Sequence, residues 1–240
     1  MSNRAKPNAV IFDWDETLAQ TRDLVVTSMQ STLDHYKLGS WDKIKKEKRD
    51  TSKSLKENFG NFFGAAAAEA YDLYLKSYRE NFQGGLLATP AAEETLEYLQ
   101  NLSVSLFIIS NKEKSLLQDE VKYLFPGIKF NRILGNGDAE YNKPHPAPVY
   151  AALRDTGIDL ARDEVWLVGD SRQDTDCALA AGCLPILIGE GKFIGEDYWN
   201  ETAQAKKICV FDSFEGLLSC IKTTPSLKNR QLLSSTLAAR

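Results

Sequence analysis

Short apolar runs recur along the chain at residues 9–12, 104–109, 132–134, 165–168, 185–188 and 208–211. They are short, rich in Val, Ile, Leu and Phe, and continuous rather than alternating. That pattern predicts buried parallel strands covered on both faces. Segments with helical spacing lie between most of them. Thr89-Pro90 followed by Ala91, Ala92, Glu93 and Glu94 predicts a helix start, with Pro at the first helical position and early carboxylates facing the macrodipole. That helix should run to about Asn101. Others are predicted from about Glu113 to Leu124, from the proline cluster to near Gly157, and from near Asp174 to near Gly182. The alternation predicts an α/β fold with a doubly wound, mainly parallel sheet.

Residues 20–84 break this rhythm. They offer helical stretches at 21–36, around 43–59 and at 65–82, and no strand pattern. Such a stretch is too long for a loop. It predicts an all-helical cap subdomain inserted into a core made of residues 1–19 and 85–222. Gly84-Gly85 predicts a flexible return to that core. The insert begins a few residues beyond an acidic run, so a lid over that run is geometrically natural. Residues 223–240 lose the rhythm and are expected to be a tail, either a short helix or loose chain.

Composition narrows the function. The formal net charge of −4 argues against general nucleic-acid binding, which needs a basic surface. Within 37–56, eight basic residues outnumber three acids (Asp42, Glu47, Asp50), a local excess of +5. A solvated helix face or attraction of an anionic substrate would explain it. No apolar run approaches the ~18 residues of a membrane span. The polar residues 1–8 show no secretory leader. Cys177, Cys183, Cys209 and Cys220 lack metal-type spacing and are expected to be free buried thiols in a cytoplasmic protein. A monomer or homodimer is expected.

The chemistry centres on Asp13-Trp14-Asp15-Glu16-Thr17, directly after the first strand. Side chains two apart on extended chain share a face, so Asp13 and Asp15 should point at a common site. Three further elements fall at predicted strand ends: Ser110-Asn111, Lys143 and Gly169-Asp170-x-x-x-Asp174. Open α/β sheets bind ligands at that edge. Asp13, Asp15, Asp170 and Asp174 would form an all-oxygen cluster that favours Mg²⁺ over Zn²⁺. Lys143 would add positive charge. Ser110 and a backbone N–H near Asn111 would donate to phosphate oxygens. Ser110-Asn111 and Asp174 could also serve as helix caps.

These residues, over about 9 to 190, resemble the four motifs of the haloacid dehalogenase superfamily. The insert is similar to the cap of its phosphoglycolate-phosphatase-like and β-phosphoglucomutase-like branch. The resemblance implies a Mg²⁺-dependent phosphatase acting on a small phosphorylated metabolite through a phosphoaspartate. It implies that Asp13 is the nucleophile and Asp15 the general acid and base. It implies a metal held by the carboxylate of Asp13, the backbone carbonyl of Asp15 and Asp170, with Asp174 in support. Ser110, Asn111 and Lys143 would hold the phosphoryl group, and Thr17 would orient Asp15. Arg49 and Lys53 fall where related caps contact substrate. A phosphosugar mutase of the β-phosphoglucomutase type and a non-hydrolytic phosphoaspartate switch are the alternatives. Thr17, where those mutases typically carry valine, favours a phosphatase. Glu16 stands where the family commonly has Gly. It implies either an altered loop or a side chain turned away from the acids. Trp14 is expected to pack beneath the cap.

Overall fold

The computed structural model describes residues 6–50, 53–189 and 208–223. Of the expected tail 223–240, Thr223 ends a helix and the rest lies outside these. The chain opens with β1 (Ala9–Phe12) and turns into the short β2 (Ala19–Gln20). Helices α1 (Arg22–His35), α2 (Trp41–Lys48), α3 (Leu55–Phe63) and α4 (Ala67–Gly85) follow, and β3 (Leu87–Ala88) returns beside β2. Next come α5 (Ala92–Asn101), β4 (Ser105–Glu113), α6 (Lys114–Leu124), β5 (Arg132–Asn136) and α7 (Ala147–Leu153). The remainder is β6 (Val165–Gly169), α8 (Arg172–Ala181), β7 (Leu184–Ile188), β8 (Cys209–Phe211) and α9 (Phe214–Thr223).

Six strands form one sheet in the order β5-β4-β1-β6-β7-β8, and every neighbouring pair is parallel. The chain switches direction across the sheet around β1, whose end carries Asp13. Phe12 pairs with Ile108 on one side and Val168 on the other, which aligns the ends of β4 and β6 with it. Alternation along β1 explains why it is wholly apolar. Val10 and Phe12 enter one core layer with Leu96, Leu99, Leu117 and Phe214. Ala9 and Ile11 enter the other with Val149, Leu167, Cys177 and Ala178. Burying each large side chain stabilises the fold by about 1.5–3 kcal/mol. All four cysteines are free and buried, as expected. No helix among the described residues is long and apolar enough to cross a membrane.

The structure differs from the sequence reading at several joints. β2 and β3 form an antiparallel ribbon, Ala19 opposite Ala88, too short to produce a strand pattern. Pro90 is not the first helical residue. Ala91 caps α5 in the left-handed region at φ 58°, and the helix starts one residue later. Gly84 and Gly85 end α4 rather than forming a loose return. A Cβ on Gly85 would lie 2.9 Å from Leu24 Cδ2, so a larger residue where α4 crosses α1 would require the end of the Leu24 side chain to shift. β4 runs past Ile109 through Ser110, Asn111 and Lys112 to Glu113, with an irregularity in its pairing to β5. Glu113, not Ser110 or Asn111, caps the helix that follows. Trp14 packs edge-on against Phe125 next to α6 and lies in the same buried cluster as Tyr74 and Tyr78 of α4.

Candidate active site

Asp13 follows β1, and its N–H donates to Val168 O at 2.8 Å, continuing the ladder to β6. Its carboxylate is almost fully buried. Lys143 Nζ lies 2.5 Å from Asp13 Oδ1 and 2.6 Å from Asp174 Oδ1, and the lysine side chain is only 4% exposed. Asp13, Asp170 and Asp174 each offer an oxygen within 4.8 Å of the others. Asp174 also accepts from Ser171 N at 3.1 Å and Ser171 Oγ at 2.5 Å, so it caps α8 and faces the site at once. Gly169 makes room for it. A Cβ there would sit 2.3 Å from Asp174 Cγ. Gly169→Ala should therefore displace Asp174 and lower activity by about 10-fold or more, whereas a rate equal to wild type would refute the crowding argument.

Three carboxylates surround one ammonium group, which leaves excess negative charge. Burial pushes the Asp13 carboxyl up to about 7, with Asp174 adding to the rise and Lys143 opposing it. Burial, then Asp174 and Asp13, push Asp170 up to about 8. Hard oxygen donors with unmet negative charge fit a divalent cation of the Mg²⁺ type. Such an ion must displace the protons held here near neutrality. Metal affinity should therefore weaken as pH falls below about 8 and then about 7. Calorimetric Mg²⁺ titration in buffers of different ionisation enthalpy should reveal proton release. The same heat in every buffer would contradict it.

Asp15 does not join that cluster. Its carboxylate bonds Lys112 Nζ at 2.8 Å through Oδ1. Lys112 Nζ also donates to Tyr78 Oη of α4 at 3.0 Å and lies over that ring, 4.5 Å from its centroid. Glu120 Oε1 is 3.1 Å from the same Nζ, an ion pair without hydrogen-bond alignment. The other Glu120 oxygen accepts from Trp14 Nε1 at 2.5 Å. Burial alone would lower Lys112, but Asp15 and Glu120 hold it well above the ordinary lysine value. Sequence reasoning missed Lys112, Glu120 and Tyr78. Lys112 lies two residues beyond Ser110 on the same strand, so a strand read to Glu113 would have aimed both at one side.

The remaining residues divide. Ser110 Oγ accepts from Lys112 N at 3.1 Å, which leaves its proton free to donate. Asn111 uses its amide on the loop opposite: Nδ2 donates to Lys143 O at 2.9 Å and Gln173 Oε1 at 3.1 Å, and Oδ1 accepts from Lys143 N at 3.0 Å. Its side chain thus orients Lys143 instead of facing a phosphate. Thr17 Oγ1 reaches Asp13 Oδ2 at 3.4 Å, so it supports Asp13 and not Asp15. Lys53 pairs its half-exposed ammonium with Asp50 at 3.4 Å. Arg49 is exposed where α2 ends. Asn58 is wholly buried and pins this stretch, accepting from Asp50 N at 2.7 Å and donating to Asp50 O and Ser54 O at 2.9 Å each.

Of the two readings of Glu16, the structure takes the second. Its backbone adopts the left-handed φ of 61° that suits glycine. Its side chain turns to the start of α1, where Oε1 accepts from Thr21 N at 2.9 Å and Arg22 N at 2.8 Å. Thr21 makes no side-chain cap of its own. Glu16 therefore caps α1 from five residues upstream. Glu16→Ala should cost about 1–2 kcal/mol in urea unfolding, and Glu16→Gly less, because glycine recovers the backbone cost. The opposite order would contradict this account.

A cleft of about 320 Å³ opens beside Lys143 and Pro144, lined by Asn136, Tyr141 and Asn142 and by Glu57 from the first turn of α3. That volume suits a small ligand. The chain is 32% identical over 160 residues to a phosphoglycolate phosphatase of Photorhabdus laumondii, a match spanning 67% of this chain and 65% of that protein. The chain thus spans just under two thirds of that relative's length. It is 30% identical over 184 residues to the pyrophosphatase PpaX of Bacillus pumilus, covering 75% of this chain and 82% of that one. The solved structure of a predicted phosphoglycolate phosphatase from Haemophilus somnus superposes with a TM-score of 0.74 at 23% identity, over 90% of this chain and 98% of the other. At that identity the likeness concerns the fold. The family model of haloacid dehalogenase-like hydrolases matches residues 10–188, from β1 through β7. The chain belongs to the haloacid dehalogenase-like hydrolase family.

Proposed function

We propose that this chain is a Mg²⁺-dependent phosphomonoesterase that acts on a small phosphorylated metabolite through a phosphoaspartate on Asp13. The observation that carries the reading is the buried Asp13 carboxylate, held at the end of β1 by Lys143 beside Asp170 and Asp174. In this reading Asp13 attacks phosphorus and the bond to the leaving oxygen breaks. The leaving oxygen takes a proton from Asp15. The ionised Asp15 then takes a proton from water as that water attacks the phosphoaspartate, which releases phosphate and restores Asp13. Lys143 and the Ser110 hydroxyl hold the transferring oxygens. Asp13, Asp170 and Asp174, with the backbone carbonyl of Asp15, would hold Mg²⁺. When bound, the ion supplies positive charge against the phosphoryl oxygens.

Helices α1–α4 act as a cap that excludes water, with the β2–β3 ribbon as its hinge. The relatives' names support phosphoglycolate and pyrophosphate as first candidates, and the free buried cysteines support a cytoplasmic protein. Purified protein should hydrolyse p-nitrophenyl phosphate with Mg²⁺, stop with EDTA and resume when Mg²⁺ is returned. A panel of phosphoglycolate, pyrophosphate, sugar phosphates and nucleotides would identify the preferred substrate. No turnover of any of these with Mg²⁺ overturns the reading.

A further inference from the structure

The carboxylate assigned to proton transfer is held by a buried lysine that the reaction itself does not use. Lys112 Nζ grips Asp15 through Oδ1 alone, at 2.8 Å. Asp15 Oδ2 has no partner among the described residues, and the Asp15 side chain is 36% exposed. The lysine side chain is 7% exposed and its second carboxylate partner, Glu120, 1%. One oxygen of Asp15 is thus anchored from inside while the other faces the open site.

The anchor is itself braced. Glu120 keeps Lys112 charged and in place whether or not Asp15 carries a proton, because the lysine never depends on Asp15 alone. Trp14 Nε1 holds the far oxygen of Glu120, and Trp14 directly precedes Asp15. The loop therefore meets the same lysine–glutamate pair at two successive residues. Tyr78 of α4 adds a contact from the helical insert. A pair serving stability alone would match one acid to one base inside the core. Here a second, half-exposed carboxylate shares the cation.

We propose that Lys112 is a positioning residue for proton transfer. It fixes Asp15 Oδ1 so that Oδ2 carries the proton to the leaving oxygen and from the water, and Glu120 and Trp14 fix Lys112. This rests on the phosphatase reading above, and it adds no chemical step to it.

Leaving-group dependence tests the assignment. A good leaving group departs without a proton, and a poor one needs the acid. Wild type, Lys112→Met and Asp15→Asn are compared with Mg²⁺ on 2,4-dinitrophenyl, p-nitrophenyl and phenyl phosphate. Lys112→Met should change kcat/KM on 2,4-dinitrophenyl phosphate by less than about threefold but lower it about 30-fold or more on phenyl phosphate, following Asp15→Asn, because kcat/KM reports the transfer to Asp13 and not the later attack of water. kcat should fall on all three substrates, because the attack of water on the phosphoaspartate needs the same carboxylate. Removing Lys112 strands the buried Glu120, so Lys112→Met/Glu120→Gln is measured beside it and should give the same steep profile. An equal loss of kcat/KM on all three substrates, or no loss of it on phenyl phosphate, in the folded variant overturns the proposal. A steep Asp15→Asn profile beside a flat Lys112 profile overturns the Lys112 role alone. A flat Asp15→Asn profile overturns the acid–base reading and this proposal with it.

Discussion

Asp13→Asn is expected to lower kcat on p-nitrophenyl phosphate by at least about 10³-fold, because the amide has no oxygen lone pair of carboxylate strength to place on phosphorus. The same change should raise stability in EDTA. Burial first, then Asp174, push the Asp13 carboxyl up to about 7 from its ordinary 3.8. The native state thus keeps the proton over a range in which the unfolded chain has lost it. Wild-type stability therefore falls as pH rises from about 4 to about 7, then levels off, so far as this group is concerned. An asparagine has nothing to ionise. The advantage of the variant should grow across that window, reach a few kcal/mol at most, and shrink when Mg²⁺ is added. Urea unfolding of both proteins at pH 5 and pH 8 measures it. A variant that is less stable than wild type at pH 8 in EDTA would remove the claim that this carboxylate is held at a cost.

Lys143→Met should be damaging in both respects. Its ammonium is the cation shared by Asp13 and Asp174, and both contacts are buried. Breaking a buried pair by removing one partner typically costs about 3–5 kcal/mol. Below about pH 7 the abandoned Asp13 carboxyl can take up a proton, so the loss should be smaller at pH 6 than at pH 8. Activity should fall by about 10³-fold with Mg²⁺ present, because the phosphoryl group loses a fixed charge. Mg²⁺ should restore part of the stability and little of the rate. If unfolding in EDTA at pH 8 differs from wild type by less than about 1 kcal/mol, Lys143 is not the cluster's counter-charge.

Much of the sheet was legible because strands buried on both faces must be apolar throughout. β1, β6 and β7 have few residues that could belong anywhere else. The acids at their ends stood out for the same reason, as charge placed directly after apolar chain. What escaped notice depends on partners distant in sequence. Ser110-Asn111-Lys112-Glu113 looks like a loop because it is polar, yet β4 continues through it beside β5. Glu120 looks like an ordinary outward acid on a helix, and only Lys112 and Trp14, 8 and 106 residues away, explain its burial. Asn111 matched a phosphate-binding position by type, but nothing local says that its amide is already committed to Lys143 and Gln173. Arg49 and Lys53 stand out only by position along the insert, and the fold pairs Lys53 with Asp50.

The grip of Glu16 on α1 makes the two stalks of the helical insert unequal. The outgoing stalk is clamped: the residue next to Asp15 is bonded to the first two amides at the head of α1. The incoming stalk is tied through its backbone instead: β3 pairs with β2, and Thr89 N donates to Leu18 O at 3.0 Å, before the chain bends at Ala91 ahead of α5. If the insert swings, the β2–β3 ribbon is the joint, and the clamped outgoing stalk behaves as a crank. Rotation of α1 would then be transmitted through Glu16 to the backbone of Asp15, so that shutting out solvent and aiming the acid become one movement.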